Sequence, residues 1–401
     1  MSLKTLFTLV VPGALTLSAA GLLLLFTPGS AILAQAARGY PMVALAVAML
    51  LAWRMHRSRL LLLTMLLLGV HAALHPTALG NEATPRALAG VLLPLLAASL
   101  ALSADRNLAT RYVLFQAVLI LAAAGGAIGL LTAARAETAR VLGWQLVDPI
   151  YTNWLRMEQV PLVAALVGLG ILTLTALLRE KPADAGLGWA TLAGVLAIAA
   201  PAGSTPRGIW LLAAGLILII ALVESSYIMA FHDELTGLPA RRALAQTLAA
   251  LRPPYTVAIV DVDNFKSFND RYGHDVGDQV LRMVATRLGA VTGGGRAYRS
   301  GGEEFTIVFP GRTKAEVLPH VEQVREAVAA EKFAVRKKPR PAKADGEKKR
   351  GTRSSEKRLG VTISVGLAGV DARNPTPDMV IKAADKAMYR AKQGGRNRVV
   401  A

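Results

Sequence analysis

Cysteine is absent from the 401 residues, so disulfides and thiolate metal sites are excluded and the redox compartment stays open. Charge is scarce as well: 18% of residues are charged against 53% hydrophobic, a balance unlike that of a single soluble globule. The scarcity is confined to the stretch before about residue 228, which carries +6 of the net charge of +18, leaving +12 for the rest. No long linker separates the two halves, and no heptad run is long enough for a separate coiled coil. Two parts of opposite character are therefore expected, 1–229 and 230–401.

What the first part has is long apolar runs. A membrane span needs about 20 mostly apolar residues, because unpaired backbone groups are too costly in hydrocarbon. Eight runs qualify, beginning near Thr5, Tyr40, Leu60, Ala87, Tyr112, Val160, Leu187 and Gly208, with seven as the alternative count. The expected architecture is an all-α transmembrane bundle. Eight spans put both termini on one side. The inside connections would then carry Arg54, Arg57, Arg59, Arg106, Arg111, Arg179 and Lys181, as the positive-inside rule asks. Arg135, Arg140 and Arg156 in the outside loop run against that bias. No charge lies deep within a candidate span, which disfavours a transporter or channel. Eight spans are many for tethering alone, so a sensor or regulator with an unknown ligand or protein partner is the preferred reading, and a plain anchor the alternative. His71 and His75, four apart on one helix face, could hold haem or a metal; the plainer reading is two polar side chains at the membrane edge. Trp144, Tyr151 and Trp154 read as interfacial anchors.

The second part alternates strand and helix patterns on an expected α+β plan with a mostly antiparallel sheet. Tyr255–Val262 is β-rich, Asp278–Leu288 has helical periodicity, and Arg296–Ser300 and Glu304–Phe309 flank a Gly301-Gly302 turn. Helix is expected over Lys314–Ala330 and Pro377–Lys392, and strand over Val361–Ala368. Asp261 and Asp263 end the first strand while Glu303 and Glu304 follow the glycines, so four carboxylates can form an acidic pocket. Hard oxygen donors of this kind suit Mg²⁺, which keeps waters and takes substrate phosphates. Phosphoryl transfer is the natural chemistry.

Taken in order, the motifs are more specific than any one alone. Asp233-Glu234-Leu235-Thr236-Gly237-Leu238-Pro239 is followed by Asp261-Val262-Asp263-Asn264-Phe265-Lys266, then Asn269-Asp270 and Tyr272-Gly273-His274-Asp275-Val276-Gly277-Asp278. Arg299-Ser300-Gly301-Gly302-Glu303-Glu304-Phe305, Val361–Gly366 and Ala384–Lys392 complete the series. Over residues 232–401 this resembles the GGDEF domain of diguanylate cyclases, in its Gly-Gly-Glu-Glu-Phe form. The resemblance implies a palm- or ferredoxin-like sheet with flanking helices, and condensation of two GTP to cyclic di-GMP by a homodimer. It implies Mg²⁺, with Mn²⁺ as the alternative, held by Asp261, Glu303 and the Val262 carbonyl, with Glu304 in the same cluster. Glu303 would accept the proton of the attacking hydroxyl. Lys266, Lys392 and Arg396 would meet phosphates, and Asn269 and Asp278 the guanine. It also implies a bacterial cytoplasmic membrane protein whose catalytic domain faces the cytoplasm. A receptor module that binds GTP without turnover is the rival.

The chain departs from the pattern in three places. Thr292 and Gly295 stand where many relatives carry the Arg and Asp of a product-inhibition site, so that site is expected to be absent. Ala240 replaces the usual Asn of the entrance motif. The basic run 336–358 reads as an insertion with eleven Lys/Arg, disordered by composition. Attraction to anionic lipid would be worth roughly 1 kcal/mol per cation at the surface. A solvated loop is the alternative. Nucleic-acid binding is not expected, since the run has no aromatic residue.

Overall fold

The computed structural model describes residues 3–73, 83–103, 110–148, 150, 157–201, 203–334 and 358–401. The chain divides into two compact units, Met1–Ser226 and Tyr227–Ala401.

The first unit is helical: α1 (Leu3–Phe26), α2 (Ala31–Arg54), α3 (Ser58–Ala73), α4 (Ala83–Leu102), α5 (Arg111–Ala133), α6 (Arg135–Leu142), α7 (Gln159–Arg179), α8 (Pro182–Ala199) and α9 (Thr205–Phe231). Among the described residues seven helices are long and apolar enough to cross a membrane, and α3 is a shorter apolar one. Helix α2 starts nine residues before the expected Tyr40. Ser30 caps it by accepting from Leu33 N, and Pro41 is accommodated inside the helix. The short α6 in the proposed outside loop was not expected. His75, Tyr151 and Trp154 lie outside the described residues.

Small residues set the packing of α9. A Cβ on Gly208 would fall 2.1 Å from the Ala37 carbonyl oxygen of α2, and one on Gly215 would fall 2.8 Å from the Ala44 Cβ. The seven-residue spacing on both helices is that of a left-handed packing seam, and glycine lets the backbones approach. At the ends of α3 and α8, Arg59 and Asp184 form an ion pair at 4% and 0% exposure. Arg179, at the end of α7, lies 3.4 Å from the same carboxylate and donates to the carbonyls of Ala101, Leu102 and Ser103 around the end of α4. The charges are thus at helix ends, as expected, but Arg59 and Asp184 are buried, which the pattern did not indicate.

The second unit places α10 (Arg241–Ala249), β1 (Tyr255–Val262), α11 (Phe265–Tyr272), α12 (His274–Gly289), β2 (Arg296–Arg299), β3 (Glu304–Pro310), α13 (Lys314–Ala330), β4 (Phe333–Ala334), β5 (Arg358–Leu359), β6 (Ile363–Gly369), α14 (Pro377–Gln393) and β7 (Val399–Val400). The main sheet runs β2-β3-β1-β6-β7; all neighbours are antiparallel except β6 and β7. Strand alternation then sorts the side chains. Ala258, Val260 and Val262 pack with the apolar faces of α12 and α13, whereas Tyr255 and Val257 pack with Val380 and Ala384 of α14. Asp261 continues the second set, so it emerges on the α14 face. Residues 335–357, which hold all but the last residue of the basic run, lie outside the described residues; β4 and β5 pair at its base.

Candidate active site

The site is assembled at one end of β1. Asp261 pairs in register with Glu304 on β3 and with Ser364 on β6, and is 3% exposed. The backbone N–H of the next residue, Val262, donates to the Glu303 carbonyl at 3.3 Å, which draws the glycine turn over the strand end. Lys392, in the last turn of α14, sets its Nζ 2.9 Å from Asp261 Oδ2. Burial holds the carboxyls of Asp261 and Glu303 above the usual range. For Asp261 the Lys392 ammonium opposes this and the charges of Glu304 and Asp263 add to it. For Glu303, Asp261 and Glu304 add to the rise while Lys392 opposes it.

The turn itself is held by Arg299. Its guanidinium donates to the carbonyls of Gly301 at 3.2 Å and Gly302 at 2.7 Å, and to Asp233 Oδ1 at 2.7 Å. Asp233 also accepts from the N–H and hydroxyl of Thr236, and its pKa is lowered despite burial by these donors and by Arg299. The entrance motif and the turn are thereby tied together. Both residues stand in motifs recognised in the sequence, but their separation of 66 positions hid the contact. Neither Gly301 nor Gly302 has a positive φ, and a Cβ on Gly302 would meet nothing within 4 Å. The hairpin therefore does not require glycine at 302, and the space over it is open.

Asp263 corrects the expectation of a four-carboxylate pocket. It lies beyond the β1 ladder and accepts from Ser364 and Thr362 hydroxyls, each at 2.6 Å, and from Asn397 N at 3.1 Å. Its carboxylate pins the approach to β6 and the C-terminal segment. Asp261, Glu303 and Glu304 remain. Among the described residues no three His, Asp or Glu side chains form a metal cage. A site of two carboxylates and a carbonyl nevertheless fits Mg²⁺, which usually binds one or two carboxylates together with waters and phosphates. Burial is the main reason that the carboxyls of Asp261 and Glu303 are raised, so a cation placed between them would favour their charged forms.

A second group lies between α11 and α12, which are separated by Gly273 at φ +86°. Asn269 Oδ1 is buried and has no hydrogen-bond partner among the described residues. A Cβ on Gly277 would lie 1.8 Å from that oxygen, so glycine at 277 makes room for the carboxamide. An unmet buried acceptor of this kind suits a ligand donor. Asp278, half-buried, follows on the same helix, and Lys266 is exposed in the first turn of α11. Arg396 is exposed at φ +62°, its N–H bonded to the Ala391 carbonyl at 3.0 Å. At the expected inhibitory position, Thr292 Oγ1 lies 2.7 Å from His320 Nδ1.

The family model described as "Diguanylate cyclase, GGDEF domain" matches residues 230–347 and 347–398. Over these residues the chain is similar to GGDEF domains. The chain is 35% identical over 186 residues to the response regulator PleD of Caulobacter vibrioides, covering 44% of this chain and 37% of that protein. It is 33% identical over 180 residues to the diguanylate cyclase DgcM of Escherichia coli, covering 43% and 38%. It is likewise 33% identical to the GGDEF domain of DgcB from Caulobacter crescentus, solved in complex with c-di-GMP; that match covers 43% of this chain and 93% of that one, with a TM-score of 0.35. The chain spans less than half the length of the curated relatives it matches.

Proposed function

We propose that the protein is a membrane-held diguanylate cyclase that condenses two GTP into cyclic di-GMP and two pyrophosphates. The observation that supports it most is the meeting of Asp261, Glu303 and Lys392 at the end of β1, beside an open glycine turn. Asp261, Glu303 and the Val262 carbonyl would hold Mg²⁺, with Glu304 adding charge to the cluster; the bound ion supplies charge neutralisation at the phosphates. Glu303 takes the proton from the 3′ hydroxyl of one GTP as that oxygen bonds to the α-phosphorus of the other. The α–β phosphoanhydride bond breaks and pyrophosphate leaves, and the same exchange in the opposite sense closes the ring. Lys266, Lys392 and Arg396 offset phosphate charge. The Asp278 carboxylate only accepts hydrogen bonds, which suits guanine N1–H and N2–H₂ and leaves adenine N1 unmatched. Each domain holds one GTP, so turnover requires a homodimer.

Purified full-length protein incubated with GTP and Mg²⁺ should yield cyclic di-GMP on chromatography; GTP retained without product would favour the receptor-module reading. Added cyclic di-GMP should not slow the reaction at submicromolar concentration, because Thr292 and Gly295 offer no charge to its phosphates. Steep inhibition abolished by substitutions at 292–296 would show a variant inhibitory site.

The apolar helices of the first unit lie in the bacterial cytoplasmic membrane in this reading and regulate the dimer. The observation behind it is the set of seven long apolar helices, the last of which runs unbroken to Phe231, next to the entrance motif. Topology reporters fused after residue 401 and near Trp144 should lie on opposite sides of the membrane. The same side for both would overturn the orientation.

A further inference from the structure

The ion pair between Lys392 and Asp261 joins two residues that the proposed reaction needs for different partners. Asp261 is wanted by a metal ion and Lys392 by phosphate, yet the two side chains hold each other at 2.9 Å. The backbone at both ends is fixed. Asp261 sits within the ladders to β3 and β6. Helix α14 is seated through buried Ala384, Ala387, Met388 and Ala391, with Gly366 of β6 beneath it so closely that a Cβ would fall 2.1 Å from Ala384 O. What can move is the lysine side chain, a four-carbon stem bearing a compact charge and 31% exposed.

From this geometry we infer that Lys392 is an exchangeable counter-ion, bound to Asp261 in the nucleotide-free protein and transferred to phosphate when metal and nucleotide arrive together. The inference rests on the proposed role of Asp261 as a metal ligand. A divalent ion arriving alone finds Asp261 already compensated, and displacing the ammonium would leave that charge half-buried and unpaired. Nucleotide brings a new anion for the ammonium, so Asp261 is released at the moment it is needed. Lys392 thus makes the two bindings mutually dependent, and linkage requires the dependence to be reciprocal. The device would keep the acidic cluster from loading metal without substrate.

The test uses the full-length protein in detergent with Mn²⁺ as the probe, the unbound ion being counted by its paramagnetic resonance signal. Without nucleotide, Lys392→Met should bind Mn²⁺ about tenfold more tightly than wild type, a difference of about 1.4 kcal/mol. Asp261→Asn added to that variant should remove the gain. A GTP analogue with a methylene between the α- and β-phosphorus should raise Mn²⁺ affinity strongly in wild type and much less in Lys392→Met. Lys392→Gln repeats the measurement with a polar stem should the methionine variant fold poorly, and Lys392→Arg, which keeps the charge, should behave as wild type. Nucleotide-free Mn²⁺ affinity that stays at the wild-type value in both neutral variants overturns the exchange. If Asp261→Asn instead leaves both Mn²⁺ binding and cyclic di-GMP synthesis intact, the proposed metal site itself is wrong. Loss of both in that variant, with Lys392→Met unchanged in Mn²⁺ affinity, would remove only the exchange.

Discussion

Glu303→Gln is expected to reduce cyclic di-GMP synthesis by at least about two to four orders of magnitude, the range of a lost general base alone. The amide keeps the size of the side chain but neither accepts the hydroxyl proton nor offers a full negative charge to the metal. Folding should not suffer. The ionised Glu303 is disfavoured in the folded domain by burial and by Asp261 and Glu304, so neutralising it relieves repulsion. The Glu303 backbone carbonyl, which anchors Val262 N, is retained in the variant. Thermal unfolding followed by circular dichroism should therefore show an unchanged or slightly raised midpoint, while product chromatography shows almost none. Undiminished synthesis would refute the assignment of Glu303.

Gly366→Ala should damage both stability and turnover. The added Cβ would lie 2.1 Å from two backbone atoms of α14, Ala384 O and Met388 N, and no rotamer can relieve a clash with backbone. The helix must withdraw from the sheet. Overpacking of this kind costs about 1–3 kcal/mol, occasionally more. The withdrawal also carries Lys392 away from Asp261, since the lysine stands in the last turn of that helix. Turnover should then fall further than the loss of folded protein explains. The comparison is urea unfolding against the rate of pyrophosphate release under conditions where the variant remains folded. Equal stability and rate in the variant would mean that α14 has slack which the packing does not show.

Much of the second unit was legible because its signals are local. The β-rich run ending at Val262, the hairpin around Gly301-Gly302 and the periodic helices 314–330 and 377–393 each follow from spacing within a few turns or strands. The ordered motifs placed Asp261, Glu303 and Lys392 in one family site before any geometry was available. Other features depend on where the chain goes between such segments. Asp261 and Asp263 share a motif and a spacing of two, yet only the first stays in the ladder. Past Val262 the chain turns, and Asp263 finds Thr362, Ser364 and Asn397, about 100 residues or more away. The same holds in the first unit, where Arg59 and Asp184 pair across 125 positions.

By itself the sequence determined the division into an apolar helical part and a charged α+β part, the strand and turn that carry the carboxylates, and the family to which that second part is similar. These follow from hydrophobic periodicity, turn chemistry and motif order, all of which act over short stretches of chain. Only the tertiary structure decided which carboxylate faces the site and which is a clamp. It also decided that Lys392 rests on Asp261, that Arg299 ties the entrance motif to the turn, and that the acceptor of Asn269 is left unmet among the described residues. Those outcomes depend on close packing between distant segments: a side chain's partner is set by the sheet register and by how near a helix can approach, and neither is encoded at the residue itself.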